Sequence, residues 1–194
     1  MAEAPDEVNI YPKTVLLRDG TPVLIRPLEA GDKNNLLEFF QTIPWEERYY
    51  LQDNVASPEV VRHWTDNPDF ERVIPIVALA GDRIIADATL HRSRAPARRH
   101  IGEFRVVVDP AYREVGLGSR IIRELFEIAV ELGLYKVSFE LVAHREKAAI
   151  LAAERAGFRE VATLKGRIRD LWGNYQDLVV LEMPLKDHEA WWRY

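Results

Sequence analysis

The segment Val106-Val107-Val108-Asp109-Pro110-Ala111-Tyr112-Arg113-Glu114-Val115-Gly116-Leu117-Gly118-Ser119 carries the clearest chemical signal in the chain. A β-branched run stops at a proline, an Arg-x-x-Gly-x-Gly turn follows, and a strongly periodic helix begins at once. A helix amino-terminus leaves backbone N–H groups unpaired, and glycines let an anion approach them closely. The order strand, glycine turn, helix is therefore a way to hold phosphate. Pro110 removes a sheet donor just after Val108, so the strand must stop or splay there.

Three owners of such a turn compete. A mononucleotide P-loop needs Gly-x-x-x-x-Gly-Lys-Ser/Thr, and the lysine is missing. A dinucleotide fingerprint needs a third small residue where Ile121 stands, and it opens a chain, whereas this turn follows five predicted strands. The third reading is a turn that only joins strand to helix.

The elements around the turn are legible from pattern. Thr14 to Leu17 and Val23 to Arg26 flank an Asp19-Gly20 hairpin signal, and Pro27 ends the second strand. Asp32 is a candidate cap for a helix running to Thr42, with Leu36, Leu37, Phe39 and Phe40 on its apolar face. Residues 44–66 read as a second, broken helical segment. Val73 to Ala80 and Ile84 to Leu90 form another hairpin across Gly81-Asp82, and Ile101 to Val108 is the strand before the turn. Ile121, Ile122, Leu125, Ile128, Ala129 and Leu132 then repeat every 3.6 residues as far as Gly133. Lys136 to Val142 is a strand, Glu146 to Ala156 an alanine-rich helix closed by Gly157, and two strands near 158–171 and 175–184 finish the order ββααβββαβαββ. This is an α/β chain with a mixed sheet. It reads as one domain at 14–184, with a flexible tail at 1–13 and an aromatic extension at 185–194 containing Trp191, Trp192 and Tyr194.

Composition narrows the partners. The 194 residues are 47% hydrophobic and 29% charged, as in a globular domain, and the net charge of −5 argues against nucleic acid. There is no cysteine, which excludes disulfides, thiolate metal sites and an acyl-cysteine intermediate. His63, His91, His100, His144 and His188 lack metal-ligand spacing, so no metal is expected. No run reaches the roughly 18 apolar residues of a membrane span, and the acidic start is no signal peptide, so the expectation is a cytoplasmic protein with no membrane partner.

Pro110, Arg113, Gly116 and Gly118, in this element order, resemble the GNAT family of acyl-CoA-dependent N-acyltransferases over residues 14–184. Val23 to Leu28 with Asp32 looks like the family's first strand and helix, and Asp177 to Met183 like its last strand. The resemblance implies the GNAT acyl-CoA N-acyltransferase fold, with acetyl-CoA as co-substrate. Backbone amides of Glu114, Val115, Gly116, Leu117, Gly118 and Ser119, after Arg113, would hold the pyrophosphate. Val106, Val107 and Val108 would pair with the pantetheine arm, because this strand and that at 136–142 splay apart. A side chain at Gly116 or Gly118 would take the phosphate's place.

The family's second motif is Asn-x-x-Ala-x-x-x-Tyr-x-x-x-Gly-Phe. Ala149 and Gly157-Phe158 match it, but Glu146 holds the Asn position and Ala153 that of the Tyr that often protonates the leaving thiolate. A thiolate is a tolerable leaving group near neutral pH, and solvent can supply its proton. Tyr112, Tyr135 and Tyr175 are alternatives.

An amine acceptor must be neutral to attack, and for lysine that costs about 4.6 kcal/mol at pH 7, which a carboxylate base offsets in part. The resemblance points to Glu103, on the strand where GNAT enzymes often place this base. Pat-type protein lysine acetyltransferases carry a glutamate ten residues before the glycine motif, and Glu103 stands ten before Arg113. The competing reading pairs Glu103 with Arg98, Arg99 or Arg105; Asp87 and Glu140 are further candidates. Trp45-Glu46-Glu47-Arg48-Tyr49-Tyr50-Leu51 also resembles a Pat-type piece that walls the acceptor site. The expected reaction is direct acetyl transfer to a protein lysine in a ternary complex, by a monomer or homodimer. The alternatives are a small-molecule amine acceptor or a non-catalytic acyl-CoA sensor. Arg92, Arg94, Arg98, Arg99 and His100 form the densest basic patch and read as a solvated loop.

Overall fold

The computed structural model describes residues 11–66 and 68–185. The tail expected at 1–13 lies outside the described residues as far as residue 10, and the extension at 185–194 does so from 186 on, with Trp191, Trp192 and Tyr194. Eight strands follow one another in the sheet in the order β1-β2-β3-β4-β5-β6-β8-β7. The chain groups into two compact units, one made of Val106–Ile121 and the chain up to Thr89, the other of Leu90–Arg105 and the chain from Ile122 onward.

In the first unit, β1 (Lys13–Leu16) and β2 (Pro22–Pro27) form the expected antiparallel hairpin, and β2 continues antiparallel onto β3 (Val73–Ala80). Gly20 has φ +86°, which the turn needs and which glycine adopts without a Cβ penalty. Helix α1 (Lys33–Thr42) places Leu36, Phe39 and Phe40 on one face, as the 3.6-residue period requires. With Ile43, Val61, Val77 and Ile84 they form a core in which the Phe39 and Phe40 rings lie 5.1 Å apart. Burying a side chain of this size stabilises the fold by roughly 1.5–3 kcal/mol. The broken helical segment resolves into α2 (Trp45–Arg48) and α3 (Pro58–Asp66), the second opening on a proline whose missing N–H would have been unpaired there anyway.

Asp32 stands at the cap position of α1, but its side chain does not cap the helix. Its oxygens accept from both terminal nitrogens of Arg26 at 2.7 Å and from the Glu29 N–H at 2.8 Å. Burial pushes the Asp32 carboxyl up, but the bonds from Arg26 and Glu29 outweigh that and hold it below the usual carboxylate range.

In the second unit, β6 (Lys136–Val142) runs antiparallel to β8 (Tyr175–Pro184), which pairs on its other side with β7 (Arg159–Arg169). Phe104, Phe139 and Phe158 meet with ring centroids 5.0–6.0 Å apart. A Cβ on Gly102 would stand 2.5 Å from Leu90 Cδ1, so a side chain there would displace the leucine tips packed over the strand. Helix α5 (Lys147–Arg155) ends at Gly157, φ +100°. Three elements contribute to both units: β4 (Arg83–Arg92), β5 (Ile101–Val108) and α4 (Leu117–Glu131). The observed order is the expected ββααβββαβαββ, with the second helical element divided in two.

Candidate active site

Strand β5 ends at Val108 and Pro110 opens a 3-10 turn, Pro110–Tyr112, as the proline dictates. Asp109 organises this exit. It is buried, its Oδ1 accepts the Ala111 N–H at 2.9 Å, its Oδ2 pairs with Arg83, and its N–H donates to Ile85 O at 2.9 Å. Sequence reasoning passed over it, although an aspartate directly before proline is a capping signal.

After the exit, Glu114 takes φ +67°, a left-handed conformation unusual for a non-glycine residue, and Gly116 takes φ +95°. The intrahelical ladder of α4 starts at Arg120, whose N–H donates to Gly116 O at 3.1 Å. The amides of Leu117, Gly118 and Ser119 precede that first bond and have no intrahelical acceptor. The two glycines differ in what they permit. A Cβ on Gly116 would meet the Arg18 side chain at 3.4 Å, and its positive φ already requires glycine. A Cβ on Gly118 meets nothing within 4 Å. Neither a clash nor a positive φ accounts for Gly118.

The family model described as Acetyltransferase (GNAT) family matches the chain over residues 37–158. The chain belongs to the GNAT acetyltransferase family. That general activity is the one its membership supports. No curated protein matches the chain in sequence. Solved structures of the same fold include the GNAT domain of S. lividans PAT, at 23% identity and a TM-score of 0.72, covering 90% of this chain and 97% of that one. Ribosomal-protein-alanine N-acetyltransferase from Brucella melitensis is also 23% identical, with a TM-score of 0.72 over 84% of this chain and 99% of that one. The yncA protein of Salmonella typhimurium, solved with its cofactor acetyl-CoA, is 18% identical with a TM-score of 0.72, over 87% and 96%.

Within the GNAT turn, Arg113 has a partner that the sequence did not announce. Its Nη1 and Nη2 donate to Glu47 Oε1 and Oε2 at 3.2 and 2.7 Å, and its Nε donates to Val108 O at 3.2 Å. Arg113 thus links α2 to the end of β5. Val106, Val107 and Val108 are half-buried, and Val107 packs against the α1–α3 core. On α2, Trp45 and Tyr49 are 57% and 47% exposed, so core packing does not explain these two aromatics. Glu46 and Glu47 lie between them in sequence.

Glu103 belongs to the second unit. It is half-buried and bonded to Arg105 Nε at 2.8 Å, the arginine pairing foreseen as the competing reading. Pairing of β5 with β6 runs Ile101↔Lys136, Gly102↔Val137, Glu103↔Ser138 and stops there. Ala153 is fully buried and its carbonyl accepts the Phe158 N–H, so the position of the usual tyrosine is core. Glu146, in the Asn position, accepts the Val142 N–H at 2.6 Å and closes the end of β6. Glu140, Tyr135 and Tyr175 are exposed and Tyr112 half-buried. Among the described residues no cluster of His, Asp or Glu could hold a metal, and no helix is long and apolar enough to cross a membrane.

Asp87, on β4 in the first unit, has the most perturbed carboxyl described. The residue is half-buried on the strand. Burial alone pushes it up to about 7. The unfolded chain loses this proton near pH 3.8 while the folded chain keeps it until about 7. Stability therefore falls as pH rises through that window and levels off above it. Asp87→Asn removes the penalty. Urea denaturation should show the variant more stable than wild type by on the order of 2–4 kcal/mol at pH 8 and nearly equal to it at pH 4.

Proposed function

We propose that this GNAT protein is an acetyl-CoA-dependent N-acetyltransferase that transfers the acetyl group directly to an amine in a ternary complex, with a protein lysine as acceptor. The observation that carries the donor reading is Gly118: a glycine in the first turn of α4 that neither a clash nor a positive φ requires, in a turn where the Leu117, Gly118 and Ser119 amides have no intrahelical acceptor. A pyrophosphate fills such space and pairs with such donors. Residues 114–119 would hold the phosphates, and Val106 to Val108 would hold the pantetheine arm. The Val108 carbonyl is already engaged by Arg113.

Acetyl-CoA supplies a thioester-activated acetyl group. The chain's own task is to hold it, exclude water and take the proton from the attacking amine. Glu103 is the base in this reading, with Arg105 fixing its rotamer. A cationic acceptor suits the exposed Trp45 and Tyr49 with the neighbouring carboxylates, since aromatic faces and acids both attract an ammonium group. The Brucella enzyme, by its name, acts on alanine of a ribosomal protein, which supports a protein acceptor in general; lysine in particular rests on the Pat-like pieces of this sequence.

Thiol release from acetyl-CoA with a panel of lysine peptides and small amines tests this. Turnover on lysine peptides is expected. Turnover on small amines alone would move the acceptor class, and CoA binding without turnover on any amine would make the protein a sensor.

A further inference from the structure

Arg113 and Arg120 flank the turn at 114–119 in sequence and Arg18 lies against it, and only Arg113 belongs to the family motif. Arg113 is committed: its Nε and both terminal nitrogens are engaged by Val108 O and the two Glu47 oxygens. A guanidinium already compensated by a bidentate carboxylate has little left for a second anion.

Arg18 comes from the β1–β2 connection, which is held firmly. The Leu17 N–H donates to Thr21 O at 2.9 Å and the Gly20 N–H to Leu17 O at 3.0 Å. The Asp19 carboxylate accepts the Thr21 N–H at 3.0 Å, so it is occupied locally. The N–H of Arg18 itself donates to Val115 O at 3.1 Å, which ties the hairpin tip to the turn. Its side chain crosses Gly116, with Cγ and Nε each 3.4 Å from where a Cβ would stand. The residue is exposed, and no carboxylate pairs with its guanidinium among the described residues. Arginine keeps its charge at every working pH and presents a planar fork that fits phosphate oxygens.

We infer that Arg18, rather than Arg113, is the cation that contacts the donor's pyrophosphate at this turn. The inference rests on the donor reading above and adds a residue to it. Arg18 precedes the segment 37–158 matched by the family model, so the cation comes from outside the shared motif. Gly116 then has a second use: without a side chain it lets the Arg18 stem lie against the turn.

The test is calorimetric titration of the full chain with CoA and with 3′-dephospho-CoA, using wild type, Arg18→Gln, Arg18→Lys and Arg113→Gln. Arg18→Gln should weaken CoA binding about tenfold, as the loss of one charge-assisted contact does, with an unchanged melting temperature. Arg18→Lys should recover part of the loss, and Arg113→Gln should weaken binding less. In turnover, the KM for acetyl-CoA rises to a similar extent while kcat at saturating donor stays within about twofold. Equal CoA affinity in wild type and Arg18→Gln overturns the inference while leaving the donor reading intact. A loss that vanishes with 3′-dephospho-CoA overturns the placement at the pyrophosphate. Wild type that binds no CoA overturns the donor reading and this inference with it.

Discussion

Replacing Gly118 with alanine should stabilise the fold and damage donor binding at once. The residue lies in the first turn of α4, and a Cβ there meets nothing within 4 Å. Alanine is favoured over glycine in a helix by roughly 0.5–1 kcal/mol, so thermal or urea unfolding should show a gain of up to that size. The same methyl group occupies space that the proposed pyrophosphate needs against the amides, and CoA affinity should fall by about tenfold or more. Gly118→Asp adds a negative charge at that point and should lower affinity by on the order of a hundredfold. Opposite signs for stability and binding separate a ligand site from a structural turn. Unchanged CoA affinity in both variants would leave Gly118 without a role at the donor site.

Gly116 makes the useful contrast. Its φ of +95° is costly for any L-residue, so Gly116→Ala loses folding stability as well as binding. The sequence places both glycines in one motif and assigns both to phosphate. The structure divides them: one is needed by the backbone and by Arg18, while neither a positive φ nor a close contact requires the other.

Local order explains what could be read in advance. The strand at Ile101–Val108, the helix from the glycine turn and the stop at Gly133 are set by neighbours within a few residues, and they stand where periodicity and proline put them. The contacts that shape the site are of another kind. Arg113 and Glu47 are 66 residues apart in the chain, and neither residue's surroundings signal the other. Arg18 looks like an ordinary hairpin residue until Val115 accepts its amide. Asp32 shows that even a local signal can be outbid, since a helix-start aspartate was drawn away by Arg26. Asp87 was legible as a strand carboxylate on the less buried face of the alternating stretch Ala86-Asp87-Ala88-Thr89-Leu90, but its raised proton affinity was not, because that depends on what distant parts of the chain pack around it.

The proton acceptor is where two carboxylates remain in direct competition, and a pair of variants decides between them. Glu103→Gln should lower kcat by about a hundredfold, within the range expected for a lost general base, while CoA affinity stays unchanged. Its case rests on position. It is the last β5 residue paired with β6 and lies on the strand that continues to Val106–Val108, and Arg105 holds its carboxylate. Asp87 has a proton affinity suited to a base, since burial raises it to about 7. It stands on β4 two residues beyond Ile85, whose carbonyl accepts the Asp109 N–H at the exit from β5. If Glu103 is the base, Asp87→Asn keeps kcat within a few-fold of wild type and only alters stability with pH. If Asp87 is the base, turnover rises with pH through a limb near 7, and Asp87→Asn abolishes both the limb and most of the rate. Wild-type kinetics in Glu103→Gln at every pH would remove Glu103 from the mechanism. A carboxylate tied to an arginine can still accept a proton from an amine that binds beside it, and the continuity of its strand with Val106–Val108 favours Glu103.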